Sequence, residues 1–255
     1  MKSGAIYLDV KMRQAALWST GHQPQGQVVC AAHTNEAVRV ACERTAQLAS
    51  EKFDMKPEET ICLVLPRAKS GYFRLSDKEF GSMENLTLEA HMERIARAQS
   101  VRYHRFLEGL NHLQRYGRIS DMSVRTGYNK DYELLAKAVR AKCRISFSTL
   151  ATIHDKDGLF GRHAVTCSLF IVDEASQASE PAIFQAWLAL DPSRVVMSGD
   201  HKQLKVFTAS EISRSIWGVT AFEKLINRGC PQVVLDVQYR TVRTSTEAPI
   251  FTTTT

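Results

Sequence analysis

The chain has 255 residues, 44% of them hydrophobic and 24% charged, with a net charge of +6. That is enough apolar material for one large α/β domain or two small ones, and the mild basicity permits a polyanionic partner without requiring one. No apolar run approaches the roughly 18 residues of a membrane helix, and Asp9, Lys11 and Arg13 interrupt any signal-peptide core near the N-terminus.

Six cysteines occur, at positions 30, 42, 62, 143, 167 and 230, and no two form a CxxC pair. Neither a zinc motif nor a redox motif is therefore indicated. Cys30, Cys62 and Cys167 fall in apolar runs, where a reduced core thiol is the expected role. A reducing compartment, cytoplasm or nucleus, fits that usage.

In chain order, residues 5–20 carry a rough helical apolar face, and residues 21–26 are a loop by composition. Residues 27–32 read as a buried strand. A helix follows over about 36–51, with Thr34 or Asn35 as its N-cap. Residues 61–65 form a further strand stopped by Pro66. From 81 to 142 the texture changes: Leu88, Met92 and Ile95, then Phe106, Leu110 and Leu113, recur at helical spacing, and another helix spans about 132–142. Residues 83–145 hold 12 Lys+Arg against 7 Asp+Glu, so most of the net charge sits in this helical insert. Such a face is either solvated or turned toward nucleic acid.

The α/β pattern then resumes. Strands are expected at 144–149, 167–172, 194–198 and 232–236, and helices at 181–190 and 221–227. Strands alternating with helices predict a parallel sheet covered on both faces, with ligands at the carboxyl ends of its strands. At one such end the apolar run Leu169–Val172 stops abruptly in Asp173-Glu174, followed by Ala175-Ser176-Gln177. Two adjacent carboxylates need a counter-charge, and a divalent cation supplies one. A polar turn uses the same residues.

Taken in order, the strand ends carry a pattern. Residues 28–38 (VVCAAHTNEAV), 146–150 (SFSTL), 172–178 (VDEASQA), 199–204 (GDHKQL) and 238–240 (QYR) look like motifs Ia, Ic, II (the Walker B box), III and the closing QYR box of superfamily 1 helicases. The chain resembles the N-terminal RecA-like motor domain of that superfamily, in particular its Upf-like group. The resemblance covers about residues 28–240 and is loosest in the insert.

It implies a RecA-like, P-loop NTPase-type α/β fold. Residues 1–80 would form its first part, 81–142 the basic helical insert, 143–245 the second part, and 246–255 a disordered Thr-rich tail. It implies an ATP-dependent nucleic-acid helicase that uses ATP and Mg²⁺ and moves on single-stranded RNA or DNA. Asp173 would hold Mg²⁺ through water, and Glu174 would be the general base on the attacking water. Gln203 would position that water and sense the γ-phosphate, which Arg240 would pair. Tyr239 would stack on adenine, with Gln238 and Asp200 also on the nucleotide side. Thr34, Asn35, Ser148 and Thr149 would touch the nucleic-acid backbone without reading sequence.

The resemblance also leads one to expect a GxxxxGK[ST] phosphate loop upstream of motif Ia. Gly21 and Gly26 have the glycine spacing, but Gln27-Val28 stand where Lys and Ser/Thr belong, and the loop precedes a strand instead of following one. Lys205-Val206 stand where the family usually has proline after motif III. The chain is therefore expected to be a helicase fragment that begins just after the P-loop, ends before the second motor domain and is inactive by itself. A degenerate helicase domain that binds RNA, single-stranded DNA or a protein without turnover is the other reading, and a product that does not fold is a third.

Overall fold

A computed structural model describes residues 26–65, 81–154, 166–200, 206 and 218–234. The expected helix over 5–20, Gln203, the residues Gln238, Tyr239 and Arg240, and the Thr-rich tail lie outside the described residues.

The chain enters the fold at β1 (Gln27–Ala32), six residues that are all buried. Helix α1 (Asn35–Phe53) follows after a two-residue gap, and a short α2 (Pro57–Thr60) leads into β2 (Ile61–Leu63). A 3₁₀ turn (Gly81–Leu86) opens the insert, which is built from α3 (Leu88–Ala98), α4 (His104–Tyr116) and α5 (Met122–Lys142). Then come β3 (Ile145–Thr149), α6 (Leu150–His154), β4 (Cys167–Asp173), a 3₁₀ turn (Ala175–Gln177), α7 (Glu180–Leu190), β5 (Val195–Met197) and α8 (Ala221–Asn227).

Among the described residues, five strands form one sheet in the order β2-β3-β1-β4-β5. Every pairing is parallel. This is the α/β, RecA-like architecture expected of the sequence. Parallel strands buried on both faces must be apolar on both, and period-2 alternation sorts β1 cleanly. Val29 and Ala31 face one side, while Val28, Cys30 and Ala32 face the other. The second side is covered by α1, through Val38, Ala41, Cys42, Leu48 and Ala49.

The first side carries the insert. Leu88, Met92, Phe106, Leu110, Leu135 and Val139 share one continuous core with Val29, Cys62, Phe170 and Val172 of the sheet. The positions spaced at helical period are thus the ones buried against the sheet. Aromatic stacking tightens the layer: the Phe106 and Tyr128 rings lie 5.2 Å apart and nearly parallel. Asp121 caps α5 by accepting from the Ser123 and Val124 amides, which satisfies two of the four donors a helix start leaves open.

Several cations of the insert are taken up by the fold. Arg140 is buried, Arg105 pairs with Asp131 at 2.9 Å, Arg97 with Glu93 at 2.5 Å, and Arg125 donates to the Ile119 carbonyl. The basic composition of the insert therefore overstates its outward charge. All six cysteines are free thiols, five of them buried.

One expectation needs correcting. A strand was expected over 232–236, yet the described residues 231–234 adopt no regular structure, and Val233 and Val234 are 88% and 78% exposed. A short apolar run becomes a strand only beside a partner that completes its ladder, and no strand among the described residues pairs with it.

Candidate functional site

The strand register decides what meets at the carboxyl edge. Ala32 of β1 is level with Thr149 of β3 on one side and with Asp173 of β4 on the other. Three neighbouring strands thus end in one row. The chain leaves that row as His33-Thr34-Asn35, as Thr149-Leu150 and as Asp173-Glu174.

Asp173 is the last residue of β4 and is half-buried. Its Oδ1 accepts a 2.5 Å hydrogen bond from the Ser198 hydroxyl. Ser198 directly follows β5, and the ladder between the strands continues past their ends. The Ser198 amide donates to the Val172 carbonyl, and the Ala175 amide to the Ser198 carbonyl, both at 2.8 Å. Ser198 therefore bonds the chain on both sides of the acidic pair, at Val172 and at Ala175.

Glu174 has left-handed backbone angles (φ 50°, ψ 41°). A side chain in this region costs about 1 kcal/mol or more unless its surroundings impose it. Here the 3₁₀ turn that follows does so, and the chain turns sharply enough to keep both carboxylates at the edge. Burial, and then the charge of Asp173, push the Glu174 carboxyl above its ordinary value. The charge on Glu174 is thus disfavoured, and a bound cation would relieve that.

Gly199 lies against this turn. A Cβ there would come within 3.0 Å of the Ser176 amide nitrogen and 3.3 Å of that of Ala175. Only glycine lets the segment after β5 approach the acidic turn so closely. Gly199→Ala is expected to push the two segments apart by a few tenths of an ångström and to lower stability by about 1 kcal/mol. A lower urea midpoint at unchanged m-value is the readout. Asp200, the next residue, is exposed at the same edge.

The other candidates divide by what their side chains already do. Thr34 and Asn35 are exposed at the start of α1. Thr34 Oγ1 accepts from the Ala37 amide at 3.2 Å and so caps the helix from the rim of the site. Ser148 is buried, and its hydroxyl donates to the Val64 carbonyl at 2.9 Å. Thr149 is 8% exposed; its Oγ1 accepts from the Thr152 amide and shares a hydrogen bond with the Thr152 hydroxyl. The hydroxyls of Ser148 and Thr149 thus hold the end of β3 together. The motif pattern singled out Asp173 but passed over Ser198, its hydroxyl partner. The only signal in the sequence was a serine between an apolar strand and Gly-Asp.

A family model described as an AAA domain (AAA_11) matches residues 5–211 of the chain. The chain belongs to this AAA domain family. No curated protein matches it. At family level the AAA domain is helicase-like and of the P-loop NTPase type, a class that uses nucleotide and Mg²⁺. The acidic edge of this AAA domain suits that chemistry. It offers hard oxygen donors at a strand terminus, one of them oriented by a hydroxyl, beside a second carboxylate whose charge burial and Asp173 disfavour.

Proposed function

We propose that this AAA domain is part of the first motor domain of an ATP-dependent nucleic-acid helicase of superfamily 1, in the Upf-like group. The observation that carries the reading is the single row formed by the ends of β3, β1 and β4, with Asp173-Glu174 next to Thr34-Asn35.

In this reading Asp173, whose Oδ1 is fixed by Ser198, would hold magnesium through water. Magnesium, when bound with ATP, neutralises the phosphate charge that builds up during transfer. Glu174 takes a proton from the attacking water, a role helped by its raised affinity for protons. By resemblance Gln203 orients that water, Arg240 pairs the γ-phosphate, Tyr239 stacks on adenine, and Gln238 and Asp200 complete the nucleotide side.

On the neighbouring strand ends, the Thr34 hydroxyl, the Asn35 amide and main-chain N–H groups near Thr149 hold the backbone of single-stranded RNA or DNA. Such contacts fix position without reading bases. The exposed cations left on the insert add a sequence-independent attraction.

Binding of a labelled single-stranded oligonucleotide, titrated against salt, tests this reading. Affinity should fall linearly on a double-logarithmic plot, with a slope of about −0.7 per phosphate neutralised. Thr34→Ala with Asn35→Ala should weaken binding several-fold without changing the fold. An affinity indifferent to salt, or untouched by the double substitution, would remove the nucleic-acid role.

A further inference from the structure

Away from the acidic edge, at the far border of the sheet, three side chains from distant parts of the chain meet. Cys62 comes from β2, His91 from α3, and Cys143 caps the end of α5. One potential ligand atom from each lies within 4.8 Å of the other two. All three are buried, at 0%, 7% and 2% exposure. We propose that Cys62, His91 and Cys143 form a binding site for a soft divalent d-block cation, Zn²⁺ foremost, which ties the helical insert to the edge strand of the sheet.

The donor set is the first reason. Two sulfurs and an imidazole are the ligands zinc prefers, at about 2.3 Å for sulfur and 2.0–2.1 Å for nitrogen. Tetrahedral ligands at those lengths lie roughly 3.3–3.8 Å apart. The cluster thus needs little contraction to close on an ion.

The second reason is how the imidazole is held. His91 Nε2 lies 2.8 Å from the Ile61 carbonyl oxygen. A carbonyl can only accept, so Nε2 carries the proton and Nδ1 keeps the free lone pair. Metal-binding histidines are oriented by the same arrangement, in which the non-ligating ring nitrogen donates to a backbone carbonyl.

On binding, the two S–H groups lose their protons to solvent and two metal–sulfur bonds form. The described residues supply three of the four donors a tetrahedral ion takes.

The test uses the full chain, purified under reducing conditions. Elemental analysis is expected to find about one zinc per chain. Replacing zinc with Co²⁺ should give a thiolate-to-cobalt charge-transfer band in the near ultraviolet, along with visible bands typical of tetrahedral cobalt. Cys143→Ser and His91→Gln should each weaken cobalt binding by at least about tenfold, while Cys230→Ser should leave it unchanged. Adding Zn²⁺ to metal-free wild type should raise its melting temperature by mass action. The proposal is overturned by a chain that binds no cobalt, by a charge-transfer band that survives both ligand substitutions, or by a Cys62–Cys143 disulfide found by mass spectrometry. The wild-type cobalt spectrum reports thiolate ligation directly, so a variant that fails to fold does not weaken the test.

Discussion

Within a protein that also supplies the phosphate loop and the second motor domain, Glu174→Gln, at the proposed general base, is expected to cut ATP turnover by about 10²–10⁴-fold, while nucleotide binding persists. Phosphate release and binding of a fluorescent nucleotide, measured side by side in Mg²⁺, separate the two effects. Equal losses in both would assign Glu174 to binding and not to proton transfer. The same substitution should act on stability in the opposite direction. The Glu174 carboxyl is held above its ordinary value by burial and by Asp173, so the folded state favours its protonated form. Its contribution is therefore intact below the ordinary carboxylate range and is lost as pH rises through the raised value. At neutral pH the ionised side chain burdens the fold, and Gln, which carries no charge, should melt at a higher temperature than Glu. Below the ordinary carboxylate value the advantage should vanish. A variant that is more stable yet inactive is the usual mark of a site strained for chemistry.

Leu135→Ala tests how the insert is joined to the sheet. Leu135 is fully buried in α5, in the core that also contains Phe170 and Val172 of β4. The cost should be about 2–5 kcal/mol, which for a chain of this size lowers the melting temperature by about 5–15 °C. The whole molecule should still unfold in one transition, with tryptophan fluorescence and far-ultraviolet circular dichroism changing together. An insert that melts first, with the sheet intact, would show that the shared core does not couple them.

Periodicity made most elements legible. Helix α8 has the expected bounds, and α1, α7 and β3–β5 agree within one or two residues. These segments carry strong apolar patterns, and the sheet rewards those patterns by burying both faces. The motif order led to the same strand ends that the register brings level, because parallel strands of an α/β sheet share one carboxyl edge. What stayed hidden depends on distance in the chain. The insert reads as a separate basic unit until its apolar face is found against Val29 and Phe170. Its arginines read as a charged surface until Arg140 is found buried and Arg105 and Arg125 are found bonded to Asp131 and the Ile119 carbonyl. The Cys62–His91–Cys143 cluster left no mark in the sequence, since local spacing says nothing about residues 29 and 52 positions apart that the fold brings together. Gln232–Val234 failed for the opposite reason, as a strand-like composition without a neighbouring strand.

The level ends of β1 and β4 have one more consequence. Ala32 and Asp173 sit level on strands about 4.8 Å apart, and Thr34 follows two residues later, so an anion held there lies on the order of one Debye length, ~8 Å, from the Asp173-Glu174 pair. Each new negative charge at the end of β1 raises the proton and cation affinity of that pair. By thermodynamic reciprocity, a cation on the pair tightens the hold on the anion by the same factor. Two ligands can thus sense each other here through an unmoving sheet, by field alone, before any domain shifts.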